Sequence, residues 1–167
     1  MSHASVSGSF FQVMGTAPEL GPTFADADDV PHAARVVVVS HGFWERRLGA
    51  NREAIGTTIT LDGASFEVVG VMPRAFDFPR GADLWTALVP ELTGMREALQ
   101  FDALTERGFG ILFGMGRLQT GVDPADARRD LDRVNAEIDQ REGIREPHPV
   151  VVTSIEDRLL GTTRPAL

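Results

Sequence analysis

Two segments that alternate between apolar and polar side chains, joined by Asp62-Gly63, constrain the fold of this chain more than any other local feature. The segments are 57–61 and 64–72, and Asp-Gly is typical of a two-residue type I′ turn, in which both central residues have positive φ. Pairing across such a turn places the alternating apolar side chains from Ile59 to Val68 on one face, and a slip by one residue would destroy that arrangement. The sequence therefore predicts a β-hairpin. Its apolar face consists of Ile59, Leu61, Ala64, Phe66 and Val68.

A run of valines precedes this hairpin. Residues 35–40 (RVVVVS) predict a strand that is buried on both faces, because no polar residue interrupts its centre. Ser40 can cap a following helix, which Gly49 would end. We also expect a brief helix within 6–15 and a short strand over 83–89.

The last third of the chain has its own pattern. Residues 110–119 alternate and carry glycines on one face, which predicts a strand that a helix can approach closely. Asp123 and Gly143 then bound the strongest helix in the sequence. Residues 150–153 predict a second strand and 154–160 a last short helix, so that a parallel strand–helix–strand unit is expected. The apolar stripe of the long helix comprises Ala127, Leu131, Val134 and Ile138. The predicted fold class is α+β.

Composition excludes several kinds of protein. The 167 residues carry a net charge of −8, all sixteen basic residues are arginine, and cysteine is absent. Disulfide frameworks, cysteine-ligated metals and thiol nucleophiles are therefore excluded. The lack of lysine excludes a P-loop and Schiff-base chemistry. The acidic balance argues against nucleic acid as a partner. No apolar run reaches the ~18–20 residues that span a bilayer.

Ser40-His41 is the one feature that favours an enzyme. A serine that follows a buried strand can act as a nucleophile, so the alternative hypothesis is a free-standing α+β hydrolase that uses Ser40 and a histidine. The flanking residues Val38 and Gly42 do not make a G-x-S-x-G motif, and Ser40 is also well placed as a helix cap. The chain has four histidines, His3, His32, His41 and His148, and the base is expected to be His3, His32 or His148.

Two other patterns resemble known kinds of site only in part. The acidic turn Asp26, Asp28 and Asp29 lacks the glycine and glutamate that an EF-hand loop needs, because Pro31 and Val37 occupy those positions. The glycines 108, 110 and 114 have the wrong spacing for a dinucleotide fingerprint and do not follow a strand. We therefore expect no catalytic residue, no cofactor and no metal in this chain.

Taken in order, several segments resemble the periplasmic core domain of MacB-like ABC transporter permease proteins, within the FtsX-like permease superfamily. The resemblance covers residues 6–167. In the family, further strand material precedes the part that corresponds to residue 6, so the domain is expected to be N-terminally incomplete. It implies a two-lobed periplasmic core: a sabre-like β-hairpin and helix lobe at 35–90, inserted in a porter-like βαβ lobe built from 6–34 and 109–160. The segments that carry it are VSGSFFQVMG (6–15), RVVVVSHGFWERRLG (35–49), LDG (61–63), FEVVGVMP (66–73), ADLW (82–85) and GRL (116–118).

The resemblance also implies a setting outside the cytoplasm. We expect an inner-membrane permease whose extracytoplasmic domain, non-catalytic and soluble as a fragment, couples cytoplasmic ATP hydrolysis to movement in the periplasm, or to handling of a substrate or partner there. The expected partners are an ABC ATPase reached through membrane helices outside this chain, a second permease copy, and a periplasmic adaptor or exported substrate. The interface residues expected are Phe43, Trp44 and Trp85. In the family, membrane helices flank the domain, so the chain is expected to be a fragment with an unpaired strand edge at 110–119 or 149–153.

Overall fold

The computed structural model describes residues 2–99, 102, 104–105, 112–144 and 150–156, without the side chains of 97–99. The chain divides into two compact units, Met1–Met115 and Gly116–Leu167. The strands are β1 (His3–Val6), β2 (Val36–Val39), β3 (Thr58–Leu61), β4 (Ala64–Val71) and β5 (Leu84–Ala87). The helices are α1 (Phe10–Met14), α2 (His41–Leu48), α3 (Leu88–Leu99) and α4 (Pro124–Glu142). Short 3₁₀ turns lie at Asp26–Asp28 and Arg52–Ala54.

The first unit is built on a mixed five-stranded sheet with the order β1-β5-β2-β4-β3. β1 runs parallel to β5 and β2 runs parallel to β4. The pairs β2–β5 and β3–β4 are antiparallel. Because β5 joins the N-terminal strand to the central strand β2, elements that are about 80 residues apart in sequence lie side by side.

The predicted hairpin is confirmed in position and register. Leu61 lies opposite Ala64 and Ile59 opposite Phe66. Asp62 and Gly63 have φ values of 47° and 82°, as a type I′ turn requires. The hairpin therefore buries the face that the alternation predicts.

The valine strand β2 is buried along its whole length, as predicted. Its side chains alternate between two cores, one on each face of the sheet. Val36 and Val38 pack with α1 and Trp85, whereas Val37 and Val39 pack with Phe43 of α2. The continuous apolar run is therefore explained by helices covering both faces.

Two predicted elements differ in extent from those observed. The helix within 6–15 is confirmed as α1 and ends at Gly15, whose φ is 70°. The strand over 83–89 is shorter, since β5 ends at Ala87 and α3 starts at the next residue. Pro90 lies in the first turn of α3. The N–H groups of a first turn have no intrahelical acceptor, so a proline there removes no hydrogen bond of the helix.

The second unit contains the predicted long helix. The Asp123 carboxylate accepts a hydrogen bond from the Ala125 N–H at 2.7 Å, and Gly143 ends α4 with a φ of 69°. The predicted strands are wrong where they can be compared, because residues 112–119 and 150–153 form no strand. Strands need a partner for their backbone groups, and alternation alone cannot show that one is present. The predictions for 106–111, 145–149 and 157–160 lie outside the described residues.

The α+β class is confirmed, and one strand was missed. β1 lies at His3–Val6, ahead of the first segment that the sequence pattern singled out. Its four residues are too few for a periodic signal, and their place is fixed by pairing with β5 across the chain. The division into lobes at 35–90 and at 6–34 with 109–160 stays a prediction.

Candidate functional site

Ser40 acts as a helix cap in this structure. Its hydroxyl accepts a hydrogen bond from the Phe43 N–H at 3.1 Å, and its φ and ψ of −71° and 155° are those of an N-cap residue. The Ser40 N–H donates to the Asp83 carbonyl at 2.8 Å, which anchors the start of α2 to the sheet. The serine is therefore placed for helix formation.

His41 is engaged on both ring nitrogens. Nδ1 lies 2.7 Å from the Glu19 carboxylate and Nε2 lies 3.3 Å from Glu45. Within the described residues, no histidine forms a hydrogen bond with the Ser40 hydroxyl. His148 lies outside the described residues. The hydrolase alternative is therefore not supported.

The three residues expected at an interface occupy different environments. Trp85 is completely buried, and its indole N–H donates to the Phe78 carbonyl at 3.1 Å. Phe43 is 6 % exposed and belongs to the core on the opposite face of the sheet. Trp44 is only partly buried, and its N–H donates to the Asn51 carbonyl at 2.8 Å. Trp44 is thus the one of the three with surface for a partner, and its role at an interface stays a prediction.

The acidic turn 26–29 is tied into the fold. The Asp28 carboxylate accepts from the Ala25 N–H at 2.8 Å and closes the 3₁₀ turn. Asp29 accepts from the N–H groups of Gly8 and Val89, both at 2.8 Å. Asp29 therefore links the segment before α1 to the start of α3.

Sequence reasoning missed a polar cluster where β1, β5 and α3 meet. His3 and Ser5 lie on β1, Thr86 on β5 and Glu91 on α3. His3 Nε2 lies 2.7 Å from Thr86 Oγ1 and 3.0 Å from Glu91 Oε1. The hydroxyls of Ser5 and Thr86 both donate to the Glu91 carboxylate. The available sequence signal was the spacing of His3 and Ser5, which lie at positions i and i+2 of one strand. Two residues at this spacing do not indicate a site unless the strand is already known.

The hydrogen-bond directions fix the state of the imidazole. Since the Thr86 hydroxyl donates its proton to Glu91, it can only accept from His3. Nε2 of His3 must therefore carry a proton, so that Nδ1 is the nitrogen that gains or loses one as the pH changes. Thr86 is 1 % exposed, so its hydroxyl lies inside the fold between His3 and Glu91.

The cluster shifts both of its titratable groups toward their charged forms. The hydrogen bond with Glu91 raises the pKa of His3, against the opposing effect of burial, and the charges of Glu91 and Asp62 raise it further. Burial by itself raises the pKa of Glu91, but the hydrogen bonds from His3, Ser5 and Thr86 outweigh it and the pKa is lowered. The pair is therefore ionised over a range of mildly acidic pH.

A cavity of about 330 Å³ adjoins the cluster. Its walls combine apolar side chains of the sheet with one side of α3, where Pro90, Glu91 and Gly94 lie. His3, Arg35 and Asp62 supply its other charged or titratable groups. The mixture of charges defines no single ligand class.

Comparison with known families assigns the chain. Residues 2–134 match the model of the MacB-like periplasmic core domain, which is well over half of the chain. This protein belongs to the MacB-like periplasmic core domain family, as the resemblance predicted. The match includes β1 and most of α4.

Individual relatives agree with this assignment. The probable syringafactin export ATP-binding/permease protein SyfD of Pseudomonas syringae pv. syringae (strain B728a) is 33% identical over 85 residues, 49% of this chain and 13% of that protein. The crystal structure of the periplasmic region of MacB from Actinobacillus actinomycetemcomitans superposes with a TM-score of 0.58 at 15% identity. That match covers 97% of this chain and 65% of the other, so the fold is shared. The chain thus spans only part of each protein.

Within the described residues, no helix combines the length and the apolar character that crossing a bilayer requires.

Proposed function

We propose that this chain is the extracytoplasmic domain of an ABC transporter permease, and that it is a non-catalytic element that couples cytoplasmic ATP hydrolysis to movement outside the membrane. The observation that carries this proposal is the family match over residues 2–134. The SyfD relative, named as an export ATP-binding/permease protein, supports a role in export. In this proposal the domain lies on the periplasmic side of an inner-membrane protein.

The non-catalytic part of the proposal draws support from what the reactive side chains do. Ser40 caps α2, and His41 is held between two carboxylates. Asp29 accepts two backbone N–H groups, one from each of two distant segments. These side chains therefore stabilise the fold, and a domain that transmits movement needs such internal contacts.

The proposed partners are an ABC ATPase, reached through membrane helices of the full-length protein, and a second permease copy. A periplasmic adaptor or an exported substrate would then contact the domain outside the membrane. The ATPase contact is tested by purifying the full-length protein from membranes and identifying what co-purifies. We expect an ABC ATPase with the full-length protein and none with residues 1–167 alone. An ATPase captured equally well by the isolated chain would contradict contact through the membrane helices.

Coupling is tested by distances between two copies. The chain has no cysteine, so a single Thr60→Cys substitution on the exposed side of β3 labels each copy once, after cysteines elsewhere in the full-length protein have been replaced. We expect the inter-label distance measured by electron spin resonance to differ between the ATP-bound and the ADP-bound transporter. An identical distance distribution in both states would contradict coupled movement.

A further inference from the structure

We propose that His3 and Glu91 form a pH-sensitive clamp that holds the N-terminal strand β1 on the sheet. β1 is an edge strand of four residues, and its sheet partner is β5. Four backbone pairs are few, so side-chain contacts decide how firmly such a strand is attached. The clamp is the set of side chains that join β1 to α3.

The geometry makes Glu91 the centre of this clamp. Its two carboxylate oxygens accept hydrogen bonds from Ser5 and Thr86, and one of them also lies 3.0 Å from His3 Nε2. Two of these three partners, His3 and Ser5, belong to β1. The carboxylate therefore binds the strand at two successive positions of one face.

The opposite face of β1 is held by apolar packing. Val6 is 8 % exposed and belongs to the core that contains Phe10, Phe11 and Trp85, and Ala4 packs against the same core. These contacts do not titrate. A change of pH therefore weakens or strengthens the attachment of β1 without removing it.

The charged groups around His3 favour its protonated form. Glu91 on α3 and Asp62 in the β3–β4 turn are the two carboxylates whose charges act on it. Arg35, just before β2, is the positively charged side chain among the described residues that line the same cavity. Directly before β5, the Asp83 carboxylate accepts a hydrogen bond from the Ser2 N–H at 3.2 Å and forms an ion pair with Arg46. The net effect is a raised pKa for His3.

The sign of the pH dependence follows from the two shifts. The His3 pKa is raised above its ordinary value of 6.5, so its stabilising contribution is complete below pH 6.5 and is lost as the pH rises through the raised value. The Glu91 pKa is lowered below 4.5, so its contribution is present above pH 4.5 and is lost as the pH falls through the lowered value. The clamp is therefore strongest between these two ordinary values and weakens as the pH rises above 6.5 through the raised pKa of His3.

The clamp has a consequence for force transmission, which rests on the proposed function. If a membrane helix precedes β1 in the full-length permease, movement enters the domain through this strand. A proton-dependent attachment would then set how firmly the strand carries that movement. The clamp itself is a property of residues 1–167 and can be tested in this chain alone, so that failure of the clamp and failure of the permease assignment are distinguishable.

The test is a pair of measurements on the isolated chain. The first is an NMR titration of the four histidines, which should show His3 titrating above 6.5 and with the Nε2–H tautomer when neutral. The second is amide hydrogen exchange of Ala4–Val6, corrected for intrinsic exchange rates, at pH 6 and pH 8.5. We expect the opening equilibrium of β1 to increase by roughly two- to fivefold at the higher pH, the range for a partly exposed ion pair.

Two variants and one control define the origin of the effect. Glu91→Gln should lower the His3 pKa toward its ordinary value and reduce the pH dependence of β1 opening, because only the charge of Asp62 then remains to raise that pKa. His3→Gln should abolish the dependence. His32→Asn is the matched control, since His32 is exposed and its positive φ suits asparagine. His3 titrating at or below 6.5 in the unmodified chain, or the same pH dependence of β1 opening in Glu91→Gln, would overturn the proposal. Because the His3 titration is measured in the unmodified chain, it tests the clamp even if a variant fails to fold.

Discussion

The carbonyl oxygen of Pro22 lies 2.0 Å from the point that a Cβ atom on Gly70 would occupy. The segment around Pro22 crosses β4 at this point, and Leu20 pairs with Val71 as an isolated antiparallel bridge. Both contacts are between backbone atoms, which cannot rotate away. Gly70 is therefore required for the loop before β2 to lie against the sheet.

Gly70→Ala should lower the free energy of unfolding by about 2–3 kcal/mol, because the added methyl group forces backbone atoms apart. Urea unfolding of the isolated chain measures this directly. Gly94→Ala is the matched control: a Cβ there meets nothing within 4 Å, and alanine in the helix α3 should stabilise by up to about 1 kcal/mol. Equal stability of the two variants would contradict the close approach at Gly70.

Ser40→Ala should lower the free energy of unfolding by about 1 kcal/mol through loss of the cap on α2. Ser40→Asp should retain most of the stability, since an aspartate oxygen can accept from the same N–H group. Thermal denaturation of the three proteins checks this order. If Ser40→Asp were as unstable as Ser40→Ala, the cap would not be the reason for a serine at this position.

Substitutions of Trp44 distinguish a role in packing within the chain from a role in self-association. Trp44→Ala should cost about 2–3 kcal/mol of stability, because the indole packs beside the core around Phe43 and donates to the Asn51 carbonyl. Trp44→Phe keeps most of the packing and should cost about 1 kcal/mol through the lost hydrogen bond. If Trp44 lies at an interface between two copies, its substitution also weakens self-association, which is measured by sedimentation of the full-length protein.

In that measurement, the interface prediction expects Trp44→Ala to weaken self-association about tenfold, as truncation of a central aromatic to alanine does at many interfaces. Self-association that is unchanged in a folded Trp44→Ala protein would restrict Trp44 to packing within the chain.

The parts of the fold that the sequence predicted are those governed by local chemistry. Asp62-Gly63 could adopt positive φ twice, and Ser40 and Asp123 could cap helices, because each signal needs only its neighbours. The parts missed depend on distant partners. β1 is a strand because β5 lies beside it, and residues 112–119 alternate like a strand without forming one.

The same distinction between local signals and distant partners explains which parts of the candidate site could be predicted from the sequence. Ser40 and His41 attracted attention because they are adjacent in sequence, yet the structure uses them for a cap and for two carboxylate contacts. His3 and Glu91 are 88 positions apart, and no sequence spacing relates them. Their proximity follows from the parallel pairing of β1 with β5 and from the start of α3 immediately after β5.

Membrane fractionation of the native gene product, combined with its intact mass, is the decisive test of the permease assignment. We expect a protein larger than the 18.1 kDa of these 167 residues, recovered in the cytoplasmic-membrane fraction. Recovery of an 18.1 kDa protein in the soluble fraction would contradict the assignment to a permease.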